Sequence, residues 1–266
     1  MASIIHQIIS NYDEIEEINS EIKVPTWPLM GSPGPMLTIV GCYLAFILKV
    51  GPRMMEKKPA YQLSNVMIAY NAVQVALSFF LVMRVFQPGI IGVILSPRCG
   101  KSQHAKLDMP LQLAVSTTAW WYHIAKMVEL LDTVFFVLRK KQNQITFLHI
   151  YHHTMTAVVS WIYVRLLPGE QCVLLGLLNS FVHVVMYTYY LLTALGPQYQ
   201  KYLWWKKYIT WLQLVQFAIV LSYLFMVLVR DCQTPKPLTY FMMANMIIFL
   251  YLFGDFYRKA YKPKKV

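Results

Sequence analysis

Seven long apolar segments, separated by short polar stretches, dominate this chain of 266 residues. Each segment is close to the ~20 residues that a helix needs to cross a lipid bilayer. The segments are Pro35–Val50, Leu63–Phe86, Leu111–Leu138, Phe147–Leu167, Cys172–Leu195, Tyr208–Val229 and Leu238–Tyr257. Hydrophobic residues make up 57% of the chain and charged residues only 14%, which leaves too little polar surface for a soluble domain of this size. We therefore predict an all-α integral membrane protein with seven transmembrane helices.

The basic residues indicate how these segments are oriented. The formal net charge is +12, but Lys and Arg lie in short loops rather than on one continuous face, so nucleic acid is not expected as a partner. About twice as many Lys and Arg follow the first, third, fifth and seventh segments as lie on the opposite side, which makes that side cytosolic. We expect a polar lumenal N-terminus at 1–34, a transmembrane domain at 35–257 and a cytosolic basic tail at 258–266.

The fourth segment contains three histidines in the pattern His149-x-x-His152-His153. Helical spacing places them at i, i+3 and i+4, on one face of the helix. Imidazoles that face lipid would gain nothing, so we expect these three to line a polar interior and to carry out chemistry there.

Three other segments carry polar residues that we expect at a similar depth, in the cytosolic half of the bilayer. They are Lys126, Glu129 and Asp132 in the third segment, Asn179, His183 and Tyr187 in the fifth, and Gln213 and Gln216 in the sixth. The structural alternatives are a buried ion pair for Lys126 and Glu129, a histidine anchor for Asp132, aromatic packing for Tyr187, hydrogen bonds between helices for the glutamines, and a satisfied interior histidine for His183. Their convergence on one depth favours a site.

Two kinds of chemistry suit clustered histidines. Imidazole is a common metal ligand, but a di-iron centre needs several histidine boxes and this chain has one, so we predict no metal. A single metal held by the box and His183 is the weaker alternative. A histidine can instead attack a thioester and form an acyl-imidazole, with neighbouring groups moving protons and stabilising the oxyanion. The residues present fit this second chemistry.

The four cysteines divide by their expected side of the membrane. Cys42 and Cys172 lie in or beside apolar segments and are expected to be small apolar fillers. Cys99 and Cys232 fall in loops on the lumenal side, where oxidising conditions allow a bond. We predict a Cys99–Cys232 disulfide, with two free thiols as the alternative.

The chain resembles the very-long-chain fatty acid elongases, the condensing enzymes of the endoplasmic reticulum. Four motifs carry the resemblance, in order along the chain. They are Lys126-x-x-Glu129-x-x-Asp132-Thr133, the box His149-x-x-His152-His153, the set Asn179, His183, Met186, Tyr187, Tyr189 and Tyr190, and Thr210-x-x-Gln213-x-x-Gln216. The resemblance implies that a fatty acyl-CoA and malonyl-CoA give 3-ketoacyl-CoA, free CoA and carbon dioxide. It also implies that helices 2–7 form a barrel around a narrow acyl tunnel.

By the same resemblance, His152 is the nucleophile, and His149 and His153 orient it and handle protons, with His183 beside the reacting centre. Asp132 and Glu129, with Lys126 and Tyr187 in support, set tautomer or charge there. Asn179, Gln213 and Gln216 donate hydrogen bonds to the substrate carbonyls. No cofactor is bound, since both CoA thioesters are substrates.

The remaining expectations concern the surface. Lys140, Lys141, Lys206 and Lys207 are placed to meet CoA phosphates, although the positive-inside rule also explains them. In the tail, Lys262 and Lys264 resemble a dilysine retrieval signal for the endoplasmic reticulum. Membrane lipid is an expected partner, and a homodimer and association with other enzymes of the elongation cycle are open alternatives. A polytopic transporter or receptor with a buried His/Glu/Lys proton relay is the rival function.

Overall fold

A computed structural model describes residues 23–95, 108–166, 171–230, 232 and 236–261. The regular elements among these residues are all helical. The helices are α1 (Pro33–Met55), α2 (Ser64–Arg84), α3 (Ile90–Leu95), α4 (Met109–Glu129), α5 (Leu131–Leu138), α6 (Phe147–Leu166), α7 (Gln171–Ala194), α8 (Lys206–Val229) and α9 (Lys236–Tyr261). Short 3₁₀ turns lie at Val24–Thr26, Gln142–Gln144 and Pro197–Tyr202.

Five of these helices, α1, α2, α7, α8 and α9, are long and apolar enough to cross a membrane. Large apolar side chains on them remain exposed, such as Phe79 on α2 and Phe225 on α8, as expected for surfaces that face lipid. The chain is therefore a multi-pass membrane protein. The seven-span prediction is confirmed as a multi-pass helical protein, but not in the number of spans. Helices α4 and α6 are not among the five, and both carry charged residues and histidines, which lower their hydropathy.

The third predicted segment is two helices rather than one. Helix α4 ends at Glu129 and α5 begins at Leu131. At the junction, the amide of Leu130 donates to the carbonyl oxygen of Met127, over 3.4 Å. This i to i−3 bond tightens the turn, so Asp132 and Thr133 lie in the first turn of the new helix α5.

The described chain divides into two compact units. The first comprises Met1–Leu63 and Lys106–Val173, and the second comprises Ser64–Ala105 and Leu174–Val266. The first unit is built around α1, α4, α5 and α6, and the second around α2, α7, α8 and α9.

The first unit has an apolar core to which the segment before α1 contributes. Val24 and Met30 are fully buried in it, together with Ala157 and Val164 of α6. Two indole N–H groups fix this segment: Trp120 donates to the carbonyl oxygen of Pro28 and Trp161 to that of Leu29, over 3.1 and 2.8 Å.

Helix α1 contains a π-helical turn at Phe46–Val50, followed by Gly51. Such turns are short, irregular features of longer helices. Gly51 is buried, and a Cβ added there would lie 2.8 Å from Cγ1 of Val137. Only glycine therefore lets α1 approach α5 this closely.

In the second unit, α8 and α9 pack against each other. The ring of Phe217 on α8 lies 5.3 Å from that of Phe249 and 5.0 Å from that of Phe253, both on α9. Asn179, His183 and Tyr187 recur every four residues along α7 and are all buried, so they share one face of that helix.

Candidate active site

The three histidines of the box form a cluster in the first unit. The ring centroids of His149 and His153 are 4.3 Å apart, and those of His152 and His153 are 5.3 Å apart with nearly perpendicular planes. His152 and His153 are buried, and His149 is half-buried. This burial is consistent with side chains that point into the protein rather than into lipid.

A chain of hydroxyl groups holds His149. Nε2 of its ring lies 2.9 Å from Oγ1 of Thr133, and the same Oγ1 lies 2.8 Å from the hydroxyl of Tyr43. Thr133 is fully buried on α5 and Tyr43 is buried on α1. Because one hydroxyl bridges a histidine and a tyrosine, the orientation of the His149 ring is fixed from two other helices.

The sequence prediction gave no role to Thr133 or Tyr43. Thr133 ends the first family motif, directly after Asp132, which was the only signal available for it. Tyr43 lies in an otherwise apolar segment, 90 residues before Thr133, and nothing local distinguishes it from a tyrosine that faces lipid.

Lys126 and Glu129 form a buried ion pair. Nζ of Lys126 lies 2.7 Å from Oε1 of Glu129, and their side chains are 2% and 3% exposed. The same ammonium lies 4.8 Å from the ring centroid of Tyr122. This geometry is the structural alternative foreseen for the pair. Asp132 is also buried, one residue before Thr133.

The predicted residues of the second unit gather around α7. The ring of His183 lies 5.6 Å from that of Tyr187 in an edge-to-face arrangement. Nε2 of Gln213 on α8 donates to the sulfur of Met186 on α7, over 3.6 Å. Asn179 and Gln216 are buried, and Gln213 is half-buried.

The four lysines predicted to meet phosphates are all exposed. Lys140 and Lys141 follow α5, and Lys206 and Lys207 open α8. Lys140 has a left-handed backbone, with φ of 53°, and its amide donates to the carbonyl of Val137 while that of Lys141 donates to Phe136. This is the Schellman arrangement that ends a helix, so Lys140 has a backbone role as well.

Three expectations reach beyond the described residues. Cys232 is disulfide-bonded, but Cys99 lies outside the described residues, so their pairing stays a prediction. Lys262 and Lys264 also lie outside them. Within the described ranges, no three His, Cys, Asp or Glu side chains are arranged to hold a metal ion.

Buried imidazoles in ring contact, on a chain with membrane-spanning helices, define a helical membrane protein with a candidate catalytic centre. Residues 28–266 match the ELO family, described as the GNS1/SUR4 family. The chain belongs to this family.

Named relatives cover most of the chain. A very long chain fatty acid elongase of Aedes aegypti is 40% identical over 265 residues, covering 100% of this chain and 73% of the relative. Very long chain fatty acid elongase 4 of Homo sapiens is 42% identical over 244 residues, covering 91% of this chain and 76% of the relative. Very long chain fatty acid elongase 1 of Homo sapiens is 36% identical over 261 residues, covering 97% and 92% respectively.

Proposed function

We propose that this protein is a condensing enzyme of fatty acid elongation. It joins a long-chain acyl-CoA with malonyl-CoA to give 3-ketoacyl-CoA, CoA and carbon dioxide, through an acyl-histidine intermediate. The contacts of the buried His153 ring with the buried His152 ring and the half-buried His149 ring carry this proposal. Membership of a family whose named members are fatty acid elongases supports the same conclusion.

In the first half of the reaction, a ring nitrogen of His152 attacks the thioester carbonyl of the acyl-CoA. A carbon–nitrogen bond forms, the carbon–sulfur bond breaks, and the departing thiolate takes the proton that the imidazole loses. Covalent catalysis of this kind divides one difficult transfer into two easier steps. His153, whose ring meets both other imidazoles, moves the proton, and His149 is held by Thr133.

In the second half, malonyl-CoA loses carbon dioxide and leaves a thioester enolate. The enolate carbon attacks the acyl carbon, the carbon–nitrogen bond to His152 breaks, and the imidazole regains a proton from solvent. The acyl-imidazole is a good acceptor because imidazole leaves readily. No bound cofactor is needed for either half.

The other predicted residues act in the same reaction. We assign His183 to the reacting centre and Asn179, Gln213 and Gln216 to hydrogen bonds with the substrate carbonyls, following the family motifs. Asp132 and Glu129 set the charge around the histidines. Lys140, Lys141, Lys206 and Lys207 are exposed and meet the CoA phosphates, since ammonium groups pair well with phosphate.

The setting of the reaction is also part of the proposal. Following the resemblance and the loop charges, the protein has seven spans in the endoplasmic reticulum membrane, with a lumenal N-terminus and a cytosolic C-terminus. Helices of the last six spans surround a narrow tunnel that takes the acyl chain.

Release of labelled carbon dioxide tests the function. Purified protein with carboxyl-labelled malonyl-CoA should release label only when a long-chain acyl-CoA is added, without added iron. His152→Ala should lose this release, while Phe147→Ala, which changes a 69% exposed residue on the same helix, should keep it. Normal release by a folded His152→Ala protein would refute the assignment of the nucleophile.

A further inference from the structure

Helix α2 carries a buried polar face that the family motifs do not include. Tyr70, Asn71, Gln74 and Ser78 are all buried, although α2 is among the helices apolar enough to span a membrane. Positions 71, 74 and 78 are spaced at i, i+3 and i+7 and therefore share one side of the helix. Polar side chains inside a membrane segment are costly to keep and usually serve a function.

Gln74 connects this face to the predicted residues of α7, within the second unit. Its Nε2 donates to the hydroxyl of Tyr70 over 3.0 Å and to that of Tyr187 over 3.4 Å. The ring of Tyr187 in turn meets that of His183 edge to face. The polar face of α2 thus belongs to the same cluster as a residue that we place at the reacting centre.

Asn71 lies one turn from Gln74 but, unlike Gln74, makes no side-chain hydrogen bond in the described structure. Its side chain is 1% exposed, and both its amide nitrogen and its amide oxygen are buried without a hydrogen-bond partner in the described structure. Buried amide groups are nearly always paired. The side-chain N–H of Asn71 could donate to an acceptor on a ligand, and its oxygen could accept from a donor. A ligand group that carries both an acceptor and a donor would therefore pair with it.

The proposed substrates contain such a group. Thioester carbonyls and the malonyl carboxylate only accept hydrogen bonds and would leave the Asn71 oxygen unused. The pantetheine arm that CoA thioesters share contains secondary amides, each with one N–H and one C=O. We propose that Asn71 binds a pantetheine amide of the CoA thioester, an inference that rests on the proposed function.

Binding of a thioether analogue tests this without turnover. S-hexadecyl-CoA keeps the pantetheine arm but has no carbonyl for a nucleophile to attack. Asn71→Leu should raise its Kd about tenfold, the change expected when hydrogen bonds of ordinary strength are lost. Val73→Ala changes a 57% exposed residue on the same helix, away from the polar face, and should leave the Kd unchanged.

A second pair of ligands isolates the amide itself. The hexadecyl thioether of N-acetylcysteamine keeps the nearer pantetheine amide, whereas hexadecyl pentyl sulfide replaces that amide with methylenes. The wild-type protein should bind the first about tenfold more tightly than the second. Asn71→Leu and Asn71→Ala should lose this preference for the amide ligand.

The melting temperatures of the ligand-free proteins show whether Asn71 serves only to stabilise the fold. Asn71→Leu should melt at the same temperature as the wild type or higher, because it replaces an unpaired buried amide with an apolar group. A lower melting temperature for both Asn71 variants, or an unchanged preference between the two small thioethers, would overturn the inference.

The two proposals fail differently. Asn71-dependent binding of S-hexadecyl-CoA without any release of carbon dioxide would keep this inference and remove the condensation reaction. Failure of the wild-type protein to bind S-hexadecyl-CoA would remove both.

Discussion

The hydroxyl of Thr133 is the contact that fixes His149, since it lies within hydrogen-bond distance of both that histidine and Tyr43. A catalytic group that depends on orientation loses activity when its support is removed, even if the protein still folds. The contact therefore makes Thr133 and Tyr43 positioning residues for the histidine cluster.

Removing the Thr133 hydroxyl should slow acyl transfer. Thr133→Val keeps the shape of the side chain, and we expect kcat to fall about tenfold, equivalent to ~1.4 kcal/mol, with little change in KM. Thr133→Ser should restore most of the rate because it keeps the hydroxyl, and Tyr43→Phe should have a smaller effect than Thr133→Val. Equal rates for the valine and serine variants, measured as single-turnover acyl transfer, would mean that the hydroxyl does not matter.

The Lys126–Glu129 pair leads to a prediction about stability. Glu129→Gln leaves the buried ammonium without its carboxylate, so we expect it to lower the free energy of unfolding by about 3–5 kcal/mol. Lys126→Met combined with Glu129→Leu removes both charges and should recover most of that loss. Denaturant titration of the two variants and the wild type measures the difference, and a double variant no more stable than Glu129→Gln would contradict a buried ion pair.

At the level of elements, glycine decides how closely α1 approaches α5. Gly51→Ala brings a Cβ within 2.8 Å of Val137 Cγ1 and 2.9 Å of the Phe46 carbonyl oxygen. Overpacking of this kind typically costs about 1–3 kcal/mol. Gly41→Ala on the same helix is the matched control, because nothing lies within 4 Å of its added Cβ. We expect a lower melting temperature for Gly51→Ala alone, and equal effects of the two substitutions would argue against the close approach.

The helices could be predicted from the sequence because hydropathy is a local property. The fourth and sixth segments match α6 and α8 to within two residues, at Phe147–Leu166 and Lys206–Val229. The break at Leu130 and the π-helical turn at Phe46–Val50 could not be predicted, since both depend on tertiary packing rather than on residue preference.

Part of the candidate site could be predicted because helical spacing, like hydropathy, is a local property of the sequence. Histidines at i, i+3 and i+4 share a face whatever surrounds them, so their contact follows from the sequence. The partner of His149 comes from another helix, 16 residues away, and cannot be read from spacing. Asn71 and Gln74 could have been found, because an Asn and a Gln three residues apart in an apolar segment form the kind of signal that identified Gln213 and Gln216.

For the whole molecule, crossing a membrane requires apolar side chains on the surface, whereas catalysis requires polar side chains in the interior. The five helices that are long and apolar enough to cross a membrane expose apolar side chains on their surface. Each unit also buries imidazole and amide groups, which would be unfavourable in contact with lipid. A chain that only needed to cross the bilayer would not keep these groups inside. Their burial is the general reason for treating the protein as an enzyme rather than as an anchor.

Detection of an acyl group on His152 tests the central proposal most directly. Purified protein is incubated with a long-chain acyl-CoA in the absence of malonyl-CoA, digested, and analysed by mass spectrometry. We predict an acyl adduct on the imidazole of His152, which disappears on addition of malonyl-CoA as 3-ketoacyl-CoA forms and which His152→Ala cannot form. Condensation that proceeds at the normal rate with no adduct on His152 at any time would contradict the account.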